Sequence, residues 1–271
     1  MSTSNLDLLK KYNPVFVFNT SEEYWPCSVE YVMENSQLYN DDKKILEEGQ
    51  VTSNILASNI GNHLNINSRI YPGSPLDKIH LKHNIPLYCK VNTNEQFIDL
   101  IYIVFFAYNG PFNVLGFNTG EHQADIEHVV IRLSAETKKP IAIFFSAHGI
   151  QDGVWVKYEQ VQKYNHYPVV YVAKFSHAMY PKASTWYRIF FLANDHTDDG
   201  VHWLSNNLVV LTEDNPVWVK YTGTWGIDSV TNMSQQLWYT QQPTKSNTWF
   251  RRLFCCCDPC ENCCLEPFNF N

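Results

Sequence analysis

The stretch Leu100-Ile101-Tyr102-Ile103-Val104-Phe105-Phe106-Ala107-Tyr108 is the longest uninterrupted apolar run in the chain. It falls well short of the ~20 residues a membrane-spanning helix needs, and its β-branched and aromatic content reads as a buried strand. Further strand-like segments are expected at 14–18, 86–91, 97–106, 128–133, 140–146, 154–157, 168–173, 186–191 and 208–211. Between them stand Asn109-Gly110-Pro111, Asn118-Thr119-Gly120, Asp152-Gly153 and Asp198-Asp199-Gly200, all turn chemistry. Short strands with turn clusters every ~10 residues predict an all-β fold, a jelly-roll-like β-sandwich with long loops. Only 6–11 and 28–35 read as short helices, with some helical character at 229–238. The polar stretch 41–84 is expected to be loop-rich. The sandwich domain is placed at 1–245 and a cysteine-rich tail at 246–271, after a polar linker at 241–247.

Charge narrows the partners. A net charge of −7 with no basic stripe argues against nucleic-acid binding. The first fifteen residues carry no long apolar core, so no secretory leader is expected, and the sequence predicts a soluble, intracellular polypeptide. Cys27 and Cys89 stand alone in apolar surroundings and are expected to be buried, reduced thiols.

The chemistry-bearing residues gather at Gly120-Glu121-His122-Gln123-Ala124-Asp125-Ile126-Glu127-His128, directly before Val129-Val130-Ile131. On a strand, Asp125 and Glu127 share one face and His128 the other, while His122 sits in the preceding turn. Adjacent carboxylates repel and lose hydration, so they call for a cation, a shared proton or an arginine. With His148 and His177 added, the set His122, Asp125, Glu127, His148 and His177 suits Mg²⁺, Mn²⁺, Ca²⁺ or Zn²⁺, the imidazoles tilting away from Ca²⁺. The plain alternative is that the acids anchor loops through backbone N–H groups and the histidines are satisfied in the interior. His128 is expected to be structural. Asp195, His196 and His202 form a second polar group, read as a solvated loop. Trp155, Trp186, Trp203, Trp218 and Trp225 fit either a binding face or the core, with core packing favoured. No Gly-x-Ser-x-Gly elbow, phosphate loop or dinucleotide glycine pattern occurs.

Several segments in order resemble the vacuolar protein sorting 62 family. They are Tyr12-Asn13-Pro14-Val15-Phe16, Glu23-Tyr24-Trp25-Pro26-Cys27-Ser28-Val29, Phe106-Ala107-Tyr108-Asn109-Gly110-Pro111 and the Gly120 to His128 motif. Phe145-Ser146-Ala147-His148-Gly149 with Trp155, Pro168-Val169-Val170-Tyr171, Ser176-His177-Ala178, Asn194-Asp195, and Trp218 through Trp225-Gly226 complete the set. The central motif is also similar, more distantly, to the signature of the necrosis- and ethylene-inducing cytolysins, which bind a divalent cation in a membrane-active β-sandwich. Both families carry Trp where this chain has Ile126, which implies altered packing rather than a lost ligand. The upstream acid of the cytolysin site has no counterpart, since 112–119 contains no carboxylate.

The tail places Trp249-Phe250-Arg251-Arg252-Leu253-Phe254 before Cys255, Cys256, Cys257, Cys260, Cys263 and Cys264. Bulky apolar residues with arginines suit a membrane interface, and clustered cysteines beside them suit S-palmitoylation; two acyl chains at ~0.8 kcal/mol per methylene anchor stably. A metal or redox cluster and a free flexible tail are the alternatives.

The expected function is therefore a membrane-associated, non-enzymatic factor of vacuolar or endomembrane protein traffic, on the cytoplasmic face of a membrane. Its pocket would take a divalent cation or a polar lipid headgroup. The family resemblance supplies the process and the tail supplies the membrane. The alternatives are a cytolysin-like membrane-perturbing protein and a metal-dependent hydrolase with Asp125 or Glu127 as general base. The sequence names no protein partner.

Overall fold

The computed structural model describes residues 3–73, 85–147, 153–187 and 194–227. At its centre is a six-stranded sheet ordered Val154–Lys157, Pro140–Phe145, His122–Ser134, Phe97–Asn109, Leu87–Thr93, Leu208–Val210. Its neighbours run antiparallel except the last two, which are parallel. The long apolar run lies in Phe97–Asn109, and alternate side chains of that strand feed two different cores. Tyr102, Val104 and Phe106 pack with Phe16, Phe18, Val170 and Trp203. Ile101, Ile103 and Phe105 pack with Leu38, Leu64, Trp218 and Trp225. A strand covered on both faces cannot alternate polar with apolar, and this one reads as one hydrophobic block.

One face of the central sheet carries a second sheet, Lys163–Tyr164, Tyr167–Val172, Val15–Phe18 and Val201–Trp203, with Met179–Tyr180 paired to Tyr167–Val172. This is the expected all-β, sandwich-like architecture. The other face carries the helix Val29–Glu34 and a small sheet of Thr224–Trp225, His63–Ile66, Ser36–Asn40 and Lys43–Leu46. Ser28 starts that helix, its hydroxyl accepting from the Tyr31 N–H at 3.0 Å.

The expectation of loops across 41–84 is corrected over its described part. Lys43–Leu46, the helix Ser53–Ala57 and His63–Ile66 all lie there. These elements are too short for periodicity to register, yet Leu64 and Ile66 point inward while His63 and Asn65 stay partly exposed, and Thr52 caps the helix at the Ile55 N–H. The strand at 128–133 begins earlier than expected, at His122, because Phe97–Asn109 offers it a partner along its whole length. The helical expectation at 229–238, the linker and the tail lie outside the described residues, as does most of 186–191.

Asp99 and Arg132 stiffen the central sheet. The guanidinium donates from Nε and Nη2 to the two carboxylate oxygens at 2.7 and 2.8 Å, between the rings of Phe97 and Trp155. Among the described residues no helix is long and apolar enough to cross a membrane.

Candidate functional site

The site sits where the ends of Phe97–Asn109 and His122–Ser134 meet the segment that follows Tyr167–Val172. Asp125 lies opposite Phe106 and Glu127 opposite Val104. Both acids project toward the second sheet and are 7% exposed. Ala124, at φ 55°, interrupts the strand's alternation. Gln123, two residues before Asp125, therefore turns to the opposite face, where it bonds both backbone groups of Ile66 and the Tyr71 hydroxyl.

His177 is fully buried and lies flat on Phe106, ring centroids 3.6 Å apart and planes 3° from parallel. Its Nδ1 is 2.8 Å from Asp125 Oδ2, and its Nε2 is 3.2 Å from the carbonyl oxygen of Tyr24. A carbonyl can only accept, so the Tyr24 contact calls for a hydrogen on Nε2, while Nδ1 is engaged by the Asp125 carboxylate. In this arrangement neither ring nitrogen offers a lone pair to a cation.

The backbone that delivers this ring is itself held in place. Phe175 and His177 both have positive φ, at 67° and 54°. Glu22, which sequence reasoning missed, accepts from the N–H groups of Glu23 and Tyr24 through Oε1 and from that of Phe175 through Oε2, each at 2.9 Å. Its Oε1 is also 4.0 Å from His177 Nε2. The one local signal for it is an acid closing the Asn19–Glu22 turn, where the N–H groups that follow need an acceptor. Asp195, fully buried, accepts from Ser176 Oγ and Tyr180 Oη at 2.6 Å each. It is a core anchor of this segment rather than part of a solvated loop. His202 pairs instead with Asp199 at 2.9 Å.

Glu127 is engaged differently. Ser146 Oγ donates to Glu127 Oε2 in a short hydrogen bond, and the same hydroxyl accepts from the His128 N–H at 3.0 Å. His122 turns along its own strand, Nδ1 2.7 Å from the Ala124 carbonyl oxygen. His128 packs near Phe144 on the opposite face, and burial pushes its imidazole down to about 4. Cys27 and Cys89 are buried free thiols, raised by desolvation as expected of structural cysteines.

Of the five expected site residues, the structure brings Asp125 and His177 into contact, sets Glu127 beside Asp125 on one face, and leaves His122 at the edge. His148 lies outside the described residues. Among the described residues no three His, Cys, Asp or Glu side chains gather round one point as metal ligands do. What is present is one carboxylate locked to an imidazole and one locked to a hydroxyl. Partly buried aromatics surround it: Tyr24 packs on Tyr108 and Phe175, and Tyr71 stacks on Tyr108 at 4.0 Å. Burial, followed by the neighbouring Glu23, Glu22 and Glu121, raises the Tyr24 phenol. Four of the five singled-out tryptophans, Trp155, Trp203, Trp218 and Trp225, belong to the core. Ile126 lines a narrow apolar crevice with Val29, Tyr88, Ile103, Phe105, Leu211 and Trp218.

A family model described as "Vacuolar protein sorting-associated protein 62" matches residues 3–245. No curated protein shows a significant sequence match. Among solved structures, the non-toxic HaNLP3 protein is similar at 11% identity and a TM-score of 0.45, over 82% of this chain and 81% of that one. NLPPya in complex with glucosamine matches at 10% identity and 0.45, over 82% and 80%. Necrosis and Ethylene inducing Protein 2 from the causal agent of cocoa's Witches Broom disease matches at 12% and 0.41, over 85% and 88%. These are distant likenesses that assign this chain no ligand and no activity.

Proposed function

This chain belongs to the vacuolar protein sorting-associated protein 62 family, and on that premise we propose that it is a membrane-associated, non-enzymatic factor of vacuolar or endomembrane protein traffic. Its working part is the polar pocket built on Asp125 and Glu127, which engages a divalent cation or the polar headgroup of a lipid. The observation that carries this reading is that Asp125 and Glu127 share one face of His122–Ser134 and that His177, from the loop after Tyr167–Val172, reaches Asp125 at 2.8 Å. Two acids kept out of bulk water at one sheet end are costly for a purely structural purpose.

Asp125 and Glu127 would supply oxygen ligands, with His122 and His148 as the imidazoles and water completing the shell. His177 would orient Asp125 through its 2.8 Å hydrogen bond rather than ligate, a familiar support for a ligating carboxylate. Bound there, a divalent cation would neutralise the paired acids and offer charge to a phosphate or hydroxyl headgroup.

Cys255, Cys256, Cys257, Cys260, Cys263 and Cys264 would carry acyl chains that hold the protein at the membrane. Flotation of the full chain on liposomes, with divalent cation and then with chelator, tests the pocket. Stronger flotation with cation, reduced by Asp125→Asn, is expected. Flotation indifferent to cation, to Asp125→Asn and to loss of the cysteines would refute the reading. A hydroxylamine-sensitive acyl label on the wild-type chain, absent when the six cysteines are serine, tests the anchor.

A further inference from the structure

Between Gly110 and Gly120 the chain leaves the central sheet and returns as a separate hairpin, Phe112–Val114 paired only with Phe117–Thr119. Leu115 and Gly116 form its tip with φ of 52° and 90°, the reversed twist of a two-residue hairpin turn. Glycine takes this conformation freely, whereas leucine does so at a steric cost. Leu115 is 80% and Phe117 77% exposed, the most exposed large apolar side chains among the described residues. A strained, solvated leucine beside a solvated phenylalanine adds nothing to the fold, and such outliers point to function.

The surroundings define what this tip meets. No charged residue lies from Gly110 to Gly120, and the remaining exposed side chains are Asn113, Asn118 and Thr119. The tip can therefore enter an apolar phase without dragging an ion out of water. It carries no cation to attract an anionic surface, and Glu121 at its base opposes one. The base is rigid: Asn109 Nδ2 donates to the Gly120 carbonyl at 2.9 Å, and the Gly110 N–H to that of Phe175 at 3.0 Å. Partly buried Tyr24 and Tyr108 stand at that base, as tyrosines do at the level of lipid headgroups. A protein partner would bury on the order of 1,000 Å². A two-residue convex tip on an uncharged polar stem suits a soft phase better.

We propose that Leu115 and Phe117 form a wedge that inserts into the interfacial layer of a zwitterionic bilayer, turning the end of the central sheet that carries Asp125 and Glu127 toward the headgroups. This rests on the membrane association proposed above, but not on the cation. The test uses the full chain without acyl groups, phosphatidylcholine vesicles and chelator throughout, so that the cation plays no part. The Leu115→Asn/Phe117→Ser double variant keeps a residue that tolerates positive φ at the tip. It should float at least tenfold less than wild type, with an unchanged thermal midpoint.

In the conservative Phe117→Trp variant, brominated phosphatidylcholine should quench the added indole emission beyond the background of the native tryptophans. Wild-type chain that ignores these vesicles, a double variant that floats as well as wild type, or an unquenched added indole would each overturn the wedge. So would a wild-type self-association in the absence of lipid that the double variant abolishes, since the tip would then be a contact between copies. An Asp125→Asn chain that loses its cation response while still floating in chelator fails neither test. A wild-type chain that floats in chelator and gains nothing from cation sinks the pocket and leaves the wedge standing.

Discussion

Asp125 and His177 stand 52 residues apart in the chain and meet at 2.8 Å in the interior, where His177 is wholly excluded from solvent. Because the other ring nitrogen is taken by the Tyr24 carbonyl, the pair acts as a latch between the central sheet and the loop that joins Tyr167–Val172 to Met179–Tyr180 in the second sheet.

Breaking the latch should be costly. Removing one member of a buried charge-assisted pair leaves the other unpaired, at about 3–5 kcal/mol. Asp125→Ala should lower the urea midpoint accordingly with an unchanged slope, and Asp125→Asn, which retains one polar contact, by about half as much. An Asp125→Ala midpoint equal to that of wild type would show the contact to be incidental.

Acid should weaken the fold through His128. Burial holds its imidazole at about 4 against an ordinary 6.5. Above pH 6.5 both folded and unfolded chains keep it neutral and no penalty arises. Between 6.5 and 4 the unfolded chain binds the proton first, so stability falls as pH falls, by up to about 3 kcal/mol. Denaturation of wild type and His128→Phe across pH 7.5 to 4 should give curves that diverge only below 6.5, with wild type losing more. Parallel curves would exclude His128 as the cause.

The Asp99–Arg132 fork should not tolerate a simpler cation. Lysine presents one point charge where arginine presents a planar pair of donors between two rings. Arg132→Lys should cost about 2 kcal/mol, and Asp99→Ala, which removes the carboxylate that takes both forks of a buried guanidinium, about 3–5 kcal/mol. Paired denaturation curves, completed by the double variant, measure the coupling.

Gly110 should resist even a methyl group. A Cβ there would lie 2.3 Å from a Tyr24 ring carbon and 3.0 Å from the Phe175 Cβ. Gly110→Ala is expected to cost about 1–3 kcal/mol by overpacking. It should also disturb the His177 ring, whose Nε2 partner is the Tyr24 carbonyl, as a shifted imidazole resonance would report. An unperturbed resonance would mean that the loop yields freely.

The strands built on long patterns were legible in the sequence. Phe97–Asn109 declares itself by continuous hydrophobicity, and Asp125 and Glu127 share a face as a period of two requires. Alternation fails one step upstream, where Ala124 takes a left-handed backbone that alanine's side chain does not announce. His63–Ile66 and Lys43–Leu46 were illegible because four residues hold barely one repeat of any pattern. The His177 contact was reachable through ordered resemblance but not from spacing, since two left-handed residues, Phe175 and His177, aim the ring. Glu22 did not stand out because its role is to take backbone N–H groups, and in sequence it resembles any surface acid beside a turn.

The most direct test of the central claim is anomalous diffraction from crystals soaked in Mn²⁺, measured at the manganese edge. The account predicts a peak about 2.0–2.6 Å from carboxylate oxygens of Asp125 and Glu127, with His177 still bonded to Asp125. Full manganese soaking with no peak at those acids, or a peak only on surface carboxylates elsewhere, would contradict it.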